Sequence, residues 1–370
     1  MNWGRTPWTI DFVPEASALP ATADFAVVGG GFSGLAAAAW LRRIMPGQSV
    51  VLLEASKIGS GASGRTGGLA LAETAAGPLD DMGDALAGYK KILECLATGL
   101  EIDFPGVYEI GRQGGRRNSP IMWEDSGTLR VIQEVPGGGI DAGRVVSELA
   151  RAASRLGVLV LEATPVEKIE FGAPIRLHTA KGVLDAGRVL LATNAQSADL
   201  SGLAEDSRAK FTLAVLTEPL PAEAIAAAGL ASGKAFYTVD LPYLWGRPMP
   251  DRAVIFGSGL VDVAGDADLA ALDIATGVAA GMFAGLEQRV RGFHPALATV
   301  QFVRRWGGPI RFGDSWQLFF DRHPRSPDAI VLNGLGGDGV TLSVYLGCWA
   351  AEALAGQREL PQWGKIPRRG

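Results

Sequence analysis

The chain has 370 residues, 48% of them hydrophobic, and a formal net charge of −5, so it suits two domains or one large composite. The acidic balance excludes a general attraction to nucleic acid. Two cysteines without metal-ligand spacing, Cys95 and Cys348, and three scattered histidines, His178, His294 and His323, argue for reduced thiols and against a metal centre.

Residues 1–23 carry Pro7, Pro14 and Pro20, which oppose regular structure, so an irregular arm is expected there. The arm has neither a basic nor an apolar signal region, and no apolar run in the chain reaches membrane-spanning length. The expectation is a soluble, cytoplasmic protein without a membrane span.

Residues 25–54 are the stretch around which the chain is organised. Phe25–Val28 is a buried-strand signal, and Gly29, Gly31 and Gly34 give the spacing G-x-G-x-x-G. Leu35–Met45 reads as a helix, Val50–Leu53 as a second strand, and Glu54 follows Gly34 by twenty residues. Strand, glycine turn, helix, strand and acid come in the order a dinucleotide site needs. Gly29 permits the tight turn, Gly31 lets the backbone approach a pyrophosphate, and Gly34 lets helix and sheet pack closely. The helix start favours phosphate oxygens. Glu54 can accept both hydrogen bonds of a ribose diol, and an acid there disfavours a 2′-phosphate.

The stretch after Glu54 holds five glycines, Gly59, Gly61, Gly64, Gly67 and Gly68, and is too glycine-rich for a helix. It reads as a second cradle of main-chain donors, with Ser63, Arg65 and Thr66 adding side-chain donors. Residues 78–104 show helical spacing of apolar residues, and 107–132 read as short strands. Asp141 caps an expected helix over Ala142–Leu156, with Gly157 as its stop. Val158–Leu161, Val166–Phe171 and Arg188–Thr193 read as strands. From 201 to 314 the rhythm changes: strands such as Lys210–Leu216 and Ala253–Gly257 accompany one helix near 269–287. Residues 329–355 return to strand, glycine turn and helix. The expected cofactor domain is therefore discontinuous, over 20–75, 138–200 and 315–370, and the substrate domain covers 76–137 and 201–314.

These segments together carry a family resemblance. The opening unit, GSGASGRTGG, IDAGRVVSELARAASRLGVLVLEATPVEKIE, LLATNA and NGLGGDGVTLSVYLG occur in one order. That order resembles the FAD-dependent D-amino-acid-oxidase superfamily, which includes glycine oxidase and sarcosine oxidase. GSGASGRTGG and GRPMPDRAVIFGSG lean toward its γ-glutamylputrescine-oxidase branch, with an iminodiacetate oxidase as a narrower alternative. The resemblance implies an α/β fold: a Rossmann-like FAD-binding domain of the glutathione-reductase type beside a mixed-sheet substrate domain with helices.

It also implies roles for particular residues. Gly29, Gly31, Phe32, Ser33 and Gly34 would hold the pyrophosphate, Glu54 and Ala55 the adenosine ribose, and Val166 the adenine. Ser60, Gly61, Ala62, Ser63, Arg65, Thr66, Gly67 and Gly68, with Thr193, would line the phosphates and the flavin ring. Gly336, Gly337, Asp338, Gly339, Val340 and Thr341 would meet its pyrimidine edge, where a helix start suits negative charge. Glycine-oxidase-like members hold the substrate carboxylate with two arginines, and the corresponding places here are Ile310 and Gly337. Arg247 is the expected substitute, Arg305 and Arg311 are secondary candidates, and Tyr243, Trp245 and Trp306 are expected pocket walls. The family's covalent flavin cysteine has no match near 305–316, so non-covalent FAD is expected. The implied reaction is hydride transfer from a small amine or amino acid to flavin N5, giving an imine and, with dioxygen, hydrogen peroxide. A dehydrogenase passing electrons to a quinone or carrier, and a non-catalytic flavin-binding subunit, stay open as alternatives.

Overall fold

The structure is a computed structural model that describes residues 2–72, 74 and 77–367. The expected boundary at residues 75 and 76, and residues 368–370 of the closing segment, lie outside the described residues. The helices, in chain order, are α1 (Phe32–Ile44), α2 (Ala85–Cys95), α3 (Ala142–Arg155), α4 (Ala222–Ala227), α5 (Asp266–Ala271), α6 (Gly277–Phe293) and α7 (Gly339–Leu354). None of the described helices is long and apolar enough to cross a membrane.

Two eight-stranded sheets carry the architecture. The first has Thr22–Val28 at its centre, parallel to Val50–Leu53 on one side and Gly182–Leu191 on the other. Leu159–Leu161 and Ala329–Asn333 extend the parallel order outward, and Phe319–Arg322 closes one edge antiparallel. Strands buried on both faces read as continuous apolar runs, as VVLL at Val50–Leu53 does. α1, α3 and α7 pack together. Ala36–Ala39 of α1 are fully buried, and a β-carbon at Gly347 of α7 would stand 2.4 Å from the Ser33 carbonyl oxygen. Small residues thus let the two helices approach closely and bring both helix starts to one end of the sheet.

The second sheet runs Phe302–Gly313, Ser207–Thr217, Val254–Val263, Trp245–Pro248, Ala235–Thr238, Val107–Gly111, Thr128–Val135 and Met122–Glu124. Its pairs are antiparallel except Ala235–Thr238 with Val107–Gly111. α6 covers one face of it, where Trp123 stacks on Phe293 with ring centres 5.1 Å apart. The N-terminal arm crosses to this sheet through Gly4 against Trp306, and the Trp8 indole donates to Thr66 O.

Three expectations about elements need correction. The helical pattern over 78–104 yields only Ala85–Cys95, because Asp81, Gly83, Ala97 and Gly99 all take positive φ and cannot continue a right-handed helix. The single helix near 269–287 is α5 and α6, separated by extended Leu272 and by Gly277 at φ 58°. The strand expected over Arg188–Thr193 begins at Gly182 and ends at Leu191. Its first half pairs with Ile175–Thr179 and its second half with Thr22–Val28, so its glycines and two charges, Asp185 and Arg188, did not break it. The glycine-rich stretch after Glu54 also contains a short 3₁₀ turn, Ala62–Arg65, and a strand, Leu69–Leu71.

Candidate active site

The start of α1 is built by glycines. Gly29 sits at φ 112°, where a β-carbon would lie 2.5 Å from Ala192 O, and one on Gly34 would lie 1.9 Å from Gly29 O. No other residue fits either place. Glu54 accepts from Gly30 N and Ser56 N, each at 2.8 Å. Burial pushes its carboxyl above the usual range, against the main-chain donors that pull it down. Ser63 reaches across from the second glycine loop and accepts from Phe32 N at 2.9 Å, joining that loop to α1.

The second loop is anchored by its own side chains and by indoles. Arg65 Nε donates to Gly307 O at 2.5 Å, and its guanidinium also serves Trp3 O and Gly4 O, the latter at 2.7 Å. Burial lowers Arg65 to about 10, which leaves it cationic at neutral pH. Trp306 Nε1 donates to Arg65 O at 3.0 Å. Arg65 therefore cross-links this loop, the arm and the second sheet.

The third wall joins two strand ends. Asn194, at φ 46°, accepts from Leu335 N through Oδ1 at 3.3 Å. Gly334 and Gly336 take positive φ, and Gly336 N donates to Arg311 O at 2.9 Å. This turn delivers the start of α7, whose Asp338 makes no side-chain capping bond.

These walls enclose one cleft of about 800 Å³. It runs from Glu54, Ala55 and Val166, along Gly29, Gly31, Phe32 and Ser33, past Gly61–Ser63 and Arg65–Gly67, to Thr193 and Gly336–Val340. Its far end lies against the second sheet, where Tyr237, Tyr243, Trp245, Trp306, Leu260 and Ile310 line it, with Trp316 at the rim. Among the expected residues, Gly34, Ser60, Gly68 and Thr341 do not line it. Gly34 serves the turn packing, Ser60 is exposed, Gly68 O accepts from Ile140 N, and Thr341 is buried within α7.

The three candidate carboxylate-binding arginines are directed elsewhere. Arg247 is buried, and its Nη1 donates to Ile140 O at 2.6 Å and to Gly68 O at 3.2 Å while its guanidinium lies 5.7 Å from the Trp8 ring centre. Burial lowers it to about 10. Arg305 pairs with Glu287 at 2.5 Å, and Arg311 donates to Ala195 O, Ser207 Oγ and Asp266. None of them lines the cleft. Each extends toward carbonyls or acids supplied by distant segments, which spacing along the chain does not reveal.

Sequence reasoning placed Tyr243 in the pocket wall but missed Leu241, Pro242 and what holds their loop. Leu241, Pro242 and Tyr243 line the cleft, and two arginines hold their carbonyls. Arg289 of α6 donates to Pro242 O at 2.7 Å and Tyr243 O at 3.2 Å, and Arg112 donates to Leu241 O at 3.1 Å. Both pair with buried Asp125, at 2.6 Å and 2.9 Å. No local pattern announces this clamp, since its members come from four separate segments.

The cleft suits a long dinucleotide. Gly61 and Gly337 line it without positive φ, and a β-carbon would meet only Gln196 Oε1 at 3.9 Å in the first case and nothing within 4 Å in the second. Protein packing therefore requires neither glycine, and each keeps the wall open. The starts of α1 and α7, which both line the cleft, add main-chain donors and a positive dipole end. The fold and cleft define a dinucleotide-dependent α/β oxidoreductase of the flavin-binding kind.

Comparison with known proteins agrees. The profile of the family DAO, FAD dependent oxidoreductase, matches residues 24–353, and the chain belongs to that family. It is an FAD-dependent oxidoreductase. The chain is 28% identical to gamma-glutamylputrescine oxidoreductase of Escherichia coli K12, over 91% of this chain and 85% of that one. It is 25% identical to the probable oxidoreductase OrdL of Haemophilus influenzae, over 91% of this chain and 84% of that one. Among solved structures, glycine oxidase from Geobacillus kaustophilus superposes with a TM-score of 0.72 at 19% identity, covering 95% of this chain and all of that one. That likeness bears on the fold, which is the expected Rossmann-like arrangement with a second mixed sheet.

Proposed function

We propose that this enzyme oxidises the C–N bond of a small amine or amino acid, with FAD held non-covalently and dioxygen as acceptor. The reading rests on one observation: a single cleft continues from the glycine turn at Gly29 to an aromatic pocket under the second sheet. The relatives support the substrate class, since one is named for gamma-glutamylputrescine and another for glycine. When bound, FAD supplies a two-electron acceptor for the hydride leaving the substrate carbon.

The chain's own residues have assigned tasks. Gly29, Gly31, Phe32 and Ser33 hold the pyrophosphate, Glu54 and Ala55 the ribose, and Val166 the adenine edge. Ser63, Thr66 and Gly67 face the ring system, and Gly336–Val340 bring the positive end of α7 to its pyrimidine edge. Tyr243, Trp245 and Trp306 wall the substrate and exclude water. Non-covalent binding is favoured because no cysteine or histidine is among the described residues that line the cleft.

The membership of the two sheets favours a discontinuous cofactor domain over 20–75, 138–200 and 315–370, with a substrate domain over 76–137 and 201–314. Cys95 and Cys348 are free thiols, in keeping with a reducing cytoplasm.

The test is an anaerobic screen of the purified flavoprotein with glycine, sarcosine, iminodiacetate, D-amino acids and γ-glutamylputrescine. Bleaching by at least one compound, followed by fast reoxidation in air with peroxide release, is the expected result. A slow, peroxide-free return identifies a dehydrogenase. Flavin that no amine bleaches identifies a binding subunit. Acid precipitation should leave the flavin in solution.

A further inference from the structure

The N-terminal arm is packed into both halves of the molecule. Gly143 of α3 has no room for a side chain, because its β-carbon would stand 2.3 Å from Thr9 O. A β-carbon on Gly59 or Gly64 would stand 2.7 Å or 3.0 Å from Ile10 Cδ1, so Ile10 packs where two glycines of the second loop leave space. Asp11 N donates to Ser147 Oγ at 2.8 Å, and the Asp11 carboxylate pairs with Arg151 at 2.7 Å. On the side of the second sheet, Arg304 donates to Thr6 O at 2.9 Å.

The arm also sets the direction of main-chain groups in the second glycine loop. Trp306 donates to Arg65 O at 3.0 Å, and Trp8 of the arm donates to Thr66 O at 2.7 Å. Two successive carbonyls are thus each held by an indole. In a trans peptide the N–H points opposite to the carbonyl, so these bonds also aim the N–H groups of Thr66 and Gly67. Among the described residues neither N–H finds an acceptor. Trp8 is buried behind the loop beside Arg247, whereas Thr66 and Gly67 line the cleft. The Thr66 carbonyl therefore turns away from the cleft, and the Gly67 N–H turns into it. Unpaired main-chain donors in a cleft wall call for an acceptor from a ligand. Trp245 pins Gly67 as well, since a β-carbon there would stand 1.9 Å from the indole.

Resting on the FAD reading above, we infer that residues 3–12 are a strap that holds the second glycine loop in its cofactor-binding form. Trp8 is its positioning residue: through the Thr66–Gly67 peptide it aims the Gly67 N–H at an acceptor atom of the flavin ring. A donor fixed before the cofactor arrives loses no freedom on binding, so its whole effect goes into retaining FAD. A hydrogen bond to the ring also tunes the ring's electronic properties.

The experiment uses the FAD-loaded enzyme and reads two properties of the bound flavin. One is the rate of FAD release on dilution, followed by flavin fluorescence; the other is the position of the visible absorption band. Trp8→Phe keeps an aromatic ring beside Arg247 and removes the donor. Release about two- to tenfold faster, the range that one hydrogen bond spans, together with a shifted band, is the expected result. Asp11→Ala cuts an exposed ion pair of the same arm and should change neither property. Unchanged release in folded Trp8→Phe overturns the inference. Faster release with an unmoved band also overturns it, because a general loss of stability gives that result alone. If Trp8→Phe does not fold, Ile10→Ala decides in its place: release at least twofold faster with a shifted band supports the strap, and any other result overturns it. In each of these cases wild-type enzyme that binds FAD leaves the FAD reading standing. Wild-type enzyme that takes up no FAD overturns that reading and the strap together.

Discussion

The two ends of the cleft are made from different materials. The proposed nucleotide end is main chain: glycines at 29, 31 and 34, the starts of α1 and α7, and one acid held by two amide donors. The proposed substrate end is side chain: aromatic rings from the second sheet, and a loop pinned by Arg112, Arg289 and Asp125. A main-chain cradle depends on local backbone geometry, and that geometry leaves a fixed spacing in the sequence. A side-chain pocket depends on which distant segments meet, so its members carry no spacing at all.

The sharpest way to break the comparison is at Gly34. A β-carbon there would stand 1.9 Å from Gly29 O, a main-chain atom that cannot step aside. Gly34→Val should abolish FAD retention and cost several kcal/mol, on the order of 4 or more. The ratio of flavin to protein absorbance after purification, with the melting temperature, measures it. A variant that keeps its flavin would show that the turn is not the anchor.

Asp125→Ala attacks the other end and should come next. It leaves two partly buried guanidinium groups without their shared carboxylate, at a cost of about 3–5 kcal/mol. Flavin content should persist in the folded fraction while hydrogen exchange at residues 240–243 accelerates. Unchanged exchange there would remove the clamp from the account of the pocket.

Arg247→Ala distinguishes a wall support from a substrate ligand. Loss of its bonds to Ile140 O and Gly68 O should cost about 1–3 kcal/mol of stability. KM for carboxylated amines should not change. A tenfold rise in KM at unchanged melting temperature would return Arg247 to the substrate site.

The smallest effect lies outside the cleft. Burial, then neighbouring Arg325, holds the His323 imidazole down at about 4, and its ring stacks on Phe171 at 4.1 Å. The unfolded chain, with an ordinary imidazole near pH 6.5, takes up the proton first on acidification. This contribution to stability is complete above pH 6.5 and is lost as pH falls from there toward 4, with a slope of at most about 1.4 kcal/mol per pH unit. His323→Phe should flatten the melting temperature between pH 6.5 and 4, and an unaltered slope would assign the acid sensitivity to other groups.

How much was legible obeys the same division. The strand, turn, helix and acid over 25–54 were readable because apolar period, glycine spacing and strand length all constrain neighbours in the chain. The cap at Asp141 was readable for the same reason, since its acceptor bond spans only three residues, to Arg144 N. The break between α5 and α6 was not, because apolar periodicity runs across a short non-helical segment that the backbone at Leu272 and Gly277 discloses. Nor was the length of Gly182–Leu191, whose glycines and two charges are tolerated because partner strands flank it on both sides.

The sequence alone therefore determined the cofactor half: the fold class, the glycine turns, the acid at Glu54 and the order of segments that returns at Gly334–Thr341. Tertiary structure alone decided which way the arginines turn. A long guanidinium reaches about as far as a whole element is wide, and its partner is chosen by whichever carbonyl or carboxylate the fold places within that reach. For Arg247, Arg305 and Arg311 those partners lie outside the cleft, while Arg65, itself in the lining, turns to the carbonyls of Gly307, Trp3 and Gly4.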